Sequence, residues 1–91
     1  MLTQGNTLFS RLCRACHGAS GAGAQGPALA GNDHLADTAF VASTLVHGFG
    51  YMPPFGSRLD DSEIAAIGSY IRNSWGNEFG PVAAADIAAA R

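Results

Sequence analysis

The stretch Cys13-Arg14-Ala15-Cys16-His17 decides the reading of the whole chain. Cysteines three positions apart share one face of a helical turn, so both thiols can bond one edge of a single flat group. The next residue is then placed to offer an imidazole nitrogen from beneath that group. This is the C-x-x-C-H spacing of covalent haem attachment, with thioether bonds at Cys13 and Cys16 and with His17 as an iron ligand. These are the chain's two cysteines, so haem attachment leaves none for a disulfide. A thioredoxin-type redox pair would want a βαβ setting, and no stretch alternates like a strand. A structural zinc site needs four ligands, its histidines usually three to five positions apart. Without His17 the candidates are Cys13, Cys16, His34 and His47, and those two histidines stand 13 positions apart.

Outward from the motif, the 91 residues make one domain. A chain this short often needs a cofactor to complete its core. Hydrophobic residues are 47% and charged residues 13%, a globular balance. Twelve glycines and four prolines predict long irregular connections. The formal net charge is −2, with five arginines and no lysine. Ferric haem c would add about −1, because a bound ion's own charge counts. That balance argues against nucleic acid, which needs a basic face. Residues 38–57 carry no Asp, Glu, Lys or Arg, but His47, three glycines and Pro53-Pro54 interrupt them, so this segment is not expected to insert into a membrane. No secretory signal is visible at Met1-Leu2-Thr3. The chain reads as a mature protein or as a domain excised from a longer one.

Four helical stretches are predicted, and the class is all-α. Gly5, Leu8, Phe9, Leu12, Cys13 and Cys16 recur at helical spacing, with Thr3 as N-cap. Residues 17–32 are Gly/Ala-rich, contain Gly26-Pro27, and read as a loop. A second helix is expected from a cap at Asp37 to His47, closed by Gly48, with Phe40, Val41, Thr44 and Leu45 facing inward. A third is marked by a capping box, Asp60 with Glu63, and by a staple between Leu59 and Ile64. Its buried stripe is Ile64, Ile67, Gly68, Ile71 and Trp75, and Gly76 closes it. A short Ala-rich helix is expected over residues 83–90.

The iron's sixth position needs a ligand or stays open. Met52, in Gly50-Tyr51-Met52-Pro53-Pro54-Phe55, sits in a loop that cannot become helix and lies off any helical core stripe. Its thioether is a soft neutral ligand, and His/Met ligation raises the reduction potential. His47 and His34 are the alternatives, each also readable as a structural or surface residue. Pro27 and Leu29 are placed to line the haem on the histidine side. Arg58 is either a hydrogen-bond partner for a haem propionate or a solvated surface residue.

These residues together resemble the class I bacterial cytochromes c. The resemblance spans nearly the whole chain: Gly5-x-x-x-Phe9, Cys13-x-x-Cys16-His17-Gly18, Gly26-Pro27-x-Leu29, Met52-Pro53-x-Phe55 and a C-terminal helix ending in an aromatic. It implies a cytochrome c fold of four to five short helices around one covalently attached haem. The first and last helices would cross at Gly5, Phe9 and Tyr70. It also implies that the Pro27 carbonyl accepts a hydrogen bond from the His17 imidazole, fixing the ring. A narrower similarity is carried by Leu45-Val46-His47-Gly48, Met52-Pro53-Pro54-Phe55-Gly56, residues 70–77 and residues 82–91. It points to haem domains of cytochrome subunits that serve periplasmic quinoprotein or flavin dehydrogenases. Similar domains are fused to other redox enzymes. The missing lysines set this chain apart from cytochromes that dock through a lysine ring.

The expected function is one-electron transfer by a His/Met-ligated haem c. The donor would be a periplasmic dehydrogenase or other redox protein, and the acceptor an oxidase or another cytochrome. The domain is expected to span residues 1–91, with 77–91 as a C-terminal extension bearing a short helix. It would be periplasmic, soluble or part of a membrane-associated complex. The chain is too small for a substrate pocket beside the haem, so no catalysis of its own is assigned. A haem peroxidase or a gas or redox sensor would need an open or displaceable sixth position.

Overall fold

A computed structural model describes residues 2–13, 17–18, 21–23, 29–49 and 52–91. Helix α1 is Leu2–Leu12, α2 is Thr38–His47, α3 is Asp61–Arg72 and α4 is Ala84–Ala90, with a 3-10 turn at Asp33–Ala36 before α2. Among the described residues there is no strand, only an isolated antiparallel bridge between Phe49 and Met52. The all-α class is what the sequence predicts.

The cap signals locate the helix starts. Asp37 accepts a hydrogen bond from the Phe40 N–H at 3.2 Å and opens α2. Asp60 accepts from Glu63 N–H at 2.8 Å while Glu63 accepts from Asp60 N–H at 3.0 Å, the full capping box of α3. In α4 the Asp86 carboxylate reaches back to the Ala83 N–H at 2.9 Å. Thr3 does not cap α1: the helix already includes Leu2, and Thr3 lies in its first turn. A threonine followed three positions later by Asn6 lacks the Glu or Gln that would complete a box.

His34 lies in the 3-10 turn, where the Asn32 side chain accepts from its N–H at 3.0 Å. One further expectation needs correction. Helix α3 ends at Arg72, short of Trp75 and Gly76. Polar side chains take over its last carbonyls, which is how Ser and Asn compete with helix. Asn73 donates to Ser69 at 2.8 Å, Ser74 to Tyr70 at 2.5 Å and Asn77 to Ile71 at 3.0 Å. Trp75 leaves the helix at φ 55, a left-handed conformation that costs a bulky residue about 1–2 kcal/mol. Its ring packs 5.1 Å from Phe9 and 5.6 Å from Tyr70, centroid to centroid.

The core forms where α1 crosses α3. Phe9, Ile64, Ile67, Val82 and Ile87 are fully buried. A Cβ at Gly5 would stand 2.2 Å from the Ala66 carbonyl oxygen and 2.6 Å from the Tyr70 Cβ. Only glycine therefore lets the helix backbones meet so closely, at the crossing the resemblance implies. Residues 77–91 are packed into this core through Val82 and Ile87. Ser69 Oγ accepts from the Val82 N–H at 2.9 Å and donates to its carbonyl at 3.2 Å. Arg72 is buried, with donors directed at the carbonyls of Leu35, Ala36, Phe79 and Pro81.

Candidate haem site

The helices surround a cavity of about 490 Å³, within the range of cofactor and ligand sites. Helix α1 contributes Phe9 and Leu12 to its wall, α2 contributes Val41 and Leu45, and α3 contributes Ile67 and Ile71. The candidate ligands meet here: His17 and Met52 line the same cavity, and Cys13 stands in the same wall. The remaining polar lining is Asn32, His34 and Thr44. No Asp, Glu, Arg or Lys lines it among the described residues.

Local chain geometry places His17. The Cys13 N–H donates to the Phe9 carbonyl at 2.8 Å and the His17 N–H to the Cys13 carbonyl at 3.0 Å. Both bonds have the i to i−4 spacing of a helical turn. The chain then turns at Gly18, φ 81, and the His17 carbonyl accepts from Gly23 at 2.8 Å. His17 is itself 8% exposed. Leu29, buried and lining the cavity, is fixed from two sides. Its N–H reaches the Gly21 carbonyl at 2.7 Å, and its carbonyl accepts from the Asn77 amide at 3.0 Å. Asn77 also accepts from the Gly31 N–H at 3.0 Å.

Met52 is placed by a tight bridge. The Met52 N–H donates to the Phe49 carbonyl at 3.0 Å, and the Phe49 N–H donates back at 3.2 Å. Gly48 precedes them at φ 77, and a Cβ there would lie 2.5 Å from the Met52 carbonyl oxygen. Beyond Met52, Phe55 and Gly56 each donate at 3.0 Å to carbonyls in the last turn of α2, those of Leu45 and Val46.

Cys16 and Pro27 lie outside the described residues. Arg58 is exposed and does not line the cavity; its guanidinium carbon stands 5.7 Å from the Phe55 ring centroid, within cation–π range. His34 lines the cavity, its ring 5.7 Å from that of Phe40. His47 does not: its imidazole is hydrogen-bonded to the Ala90 carbonyl at 2.7 Å. Phe49, 75% exposed, and Asn32 also line the cavity, and neither carries a sequence signal. Phe40, Thr44, Ile67 and Ile71 read in sequence as inward core positions, and the structure makes them cavity wall.

This donor set fits haem c. One imidazole and one thioether in an otherwise apolar cavity suit low-spin iron in a flat macrocycle, with the Cys13 thiol in reach of the same space. Four-ligand zinc has no counterpart: among the described residues no three His, Cys, Asp or Glu side chains converge.

Comparison with known proteins gives the same answer. Residues 1–71 match the family described as cytochrome c oxidase, cbb3-type, subunit III. A cbb3-type cytochrome c oxidase subunit CcoP from Cereibacter sphaeroides is 33% identical over 81 residues, covering 82% of this chain and 28% of the relative. The FixP subunit from Azorhizobium caulinodans is 34% identical, covering 90% of this chain and 32% of the relative. The chain therefore spans about a third of the length of these relatives. Among solved structures, cytochrome CL from Methylophaga aminisulfidivorans superposes with a TM-score of 0.69 at 27% identity, over 79% of this chain and 51% of that one. Sequence motif, cavity and homology converge: the chain belongs to the cbb3-type subunit III family of cytochromes c, and is a class I mono-haem electron-transfer domain with covalently bound haem c.

Proposed function

We propose that the domain is a one-electron carrier in which His17 and Met52 are the axial ligands and Cys13 and Cys16 carry the thioether bonds. The observation that supports this most is that His17 and Met52 line one apolar cavity, with no charged side chain among its described lining residues. The haem supplies a redox-active iron; the chain holds both ligands through the change of charge. Anchored as His17 and Met52 are, little of the protein has to move, and a small reorganisation keeps the barrier low. Pro27, by resemblance, orients the His17 imidazole, and Leu29 packs against the macrocycle.

The domain has no substrate site of its own and acts through protein partners. A periplasmic dehydrogenase or similar redox protein serves as donor, and an oxidase or another cytochrome as acceptor. Both the resemblance to dehydrogenase subunits and the match to oxidase subunits support that pairing. Electron-transfer encounters use small interfaces, and the exposed Phe49 and Pro53 beside Met52 provide an apolar rim for one. The place of work is the bacterial periplasm, with the domain free or within a membrane-associated complex. No helix among the described residues is long and apolar enough to cross a membrane.

Potentiometric titration of Met52→Ala tests the reading. The midpoint potential should fall markedly and the ferrous protein should bind carbon monoxide. An unchanged potential with no carbon monoxide binding would remove Met52 from the iron.

A further inference from the structure

The segment that presents Met52 is held at its far end by a residue that lies outside the cavity. From Met52 the chain runs Pro53-Pro54-Phe55-Gly56. Two consecutive prolines fix φ near −65°, so motion of Met52 is passed on to Phe55 and Gly56, both hydrogen-bonded to the end of α2. That glycine is tightly enclosed: a Cβ there would stand 2.9 Å from the Val46 carbonyl oxygen and 3.3 Å from Arg91 Nη1.

The Arg91 guanidinium serves three acceptors on this exit path. Nη1 donates to the Gly56 carbonyl, Nη2 donates to the Leu59 carbonyl at 3.0 Å, and Nε pairs with the Asp61 carboxylate at 2.6 Å. A planar fork satisfying three acceptors at once sets geometry as well as energy. One residue earlier, the Ala90 carbonyl accepts from His47 at 2.7 Å, tying the same end of α4 to the last turn of α2. The end of α4 thus closes over the path by which the methionine segment leaves the cavity.

We infer that Arg91 is a latch on the methionine segment, a positioning residue that sets how readily Met52 leaves the iron; the inference rests on Met52 being the sixth ligand. Departure of the thioether requires a local opening, and such openings are governed by the few bonds that close the segment. Displacing Gly56 breaks its bond to Val46 and its bond to Arg91 together.

The test is stopped-flow binding of imidazole to the ferric holoprotein, at concentrations where methionine departure limits the rate. Arg91→Gln should speed binding about fivefold, the worth of one hydrogen bond. Arg91→Lys, which keeps the charge for Asp61 but not the fork, should fall between. Asn73→Ala removes the side-chain bonds to Ser69 and Gly80, costs at least comparable stability, touches neither latch nor cavity, and should bind at the wild-type rate. The latch is overturned if Arg91→Gln matches wild type, or if Asn73→Ala is accelerated as much. A wild-type protein without the weak red sulfur-to-iron band overturns Met52 ligation and the latch with it. A wild type that shows the band but is indifferent to Arg91 overturns the latch alone.

Discussion

His17 and Met52 reach the same cavity on supports of different kinds. On the histidine side, local helical bonds lead from Phe9 through Cys13 to His17, and one buried side chain, Asn77, ties Leu29 and Gly31 to the end of α3. On the methionine side the holding falls to a two-way bridge to Phe49, a glycine at positive φ, backbone bonds from Phe55 and Gly56 to α2, and an exposed arginine. Buried hydrogen bonds are costly to break because the freed groups have no water to turn to. Exposed ones exchange with solvent and are worth less. On the proposed ligation, the difference makes the imidazole the more permanent ligand and the thioether the one able to leave. Thioether bonds at Cys13 and Cys16, as proposed, would stand next to His17 in sequence and add to the same asymmetry.

Three substitutions probe that asymmetry. The largest effect is expected from Gly5→Ala, which undermines both sides by forcing α1 off α3. The added carbon meets a backbone oxygen at 2.2 Å, and overpacking of this severity should cost about 3 kcal/mol or more, read as a fall in the thermal midpoint of the holoprotein. Asn77→Ala should cost about 2–3 kcal/mol, since it frees buried groups on Leu29 and Ile71 and the Gly31 N–H. It should leave the red sulfur-to-iron band of the folded protein intact. Gly48→Ala should cost about 1–3 kcal/mol, because φ 77 with ψ 175 lies in a region essentially restricted to glycine, and its added carbon would press on the Met52 carbonyl. Here the red band should weaken in ferric spectra while the His17 side is unchanged. Loss of the band in Asn77→Ala and its retention in Gly48→Ala would reverse the comparison.

The fold was legible wherever its signals are local. Asp37, and Asp60 with Glu63, mark helix starts within a few residues of sequence, and the C-x-x-C-H motif specifies its chemistry by spacing alone. Met52 stood out because a proline- and glycine-rich loop left it no core role. The end of α3 was illegible for the opposite reason. Asn77 bonds Leu29 across 48 positions and Gly31 across 46, and no periodicity encodes such pairs. The same long reach pulls Trp75 out of helix, although it falls on the hydrophobic stripe. Phe49 and Asn32 were missed as cavity wall because an irregular segment carries no phase from which to read a face. Arg91 acquires a role only once α4 has folded back on the residues that follow Met52.

The central claim is that one apolar cavity holds haem c between His17 and Met52. The absorption spectrum of the ferric holoprotein tests it most directly. The account predicts a low-spin spectrum with a weak red band from methionine sulfur to iron. A high-spin spectrum, or a low-spin one without that band, would contradict it.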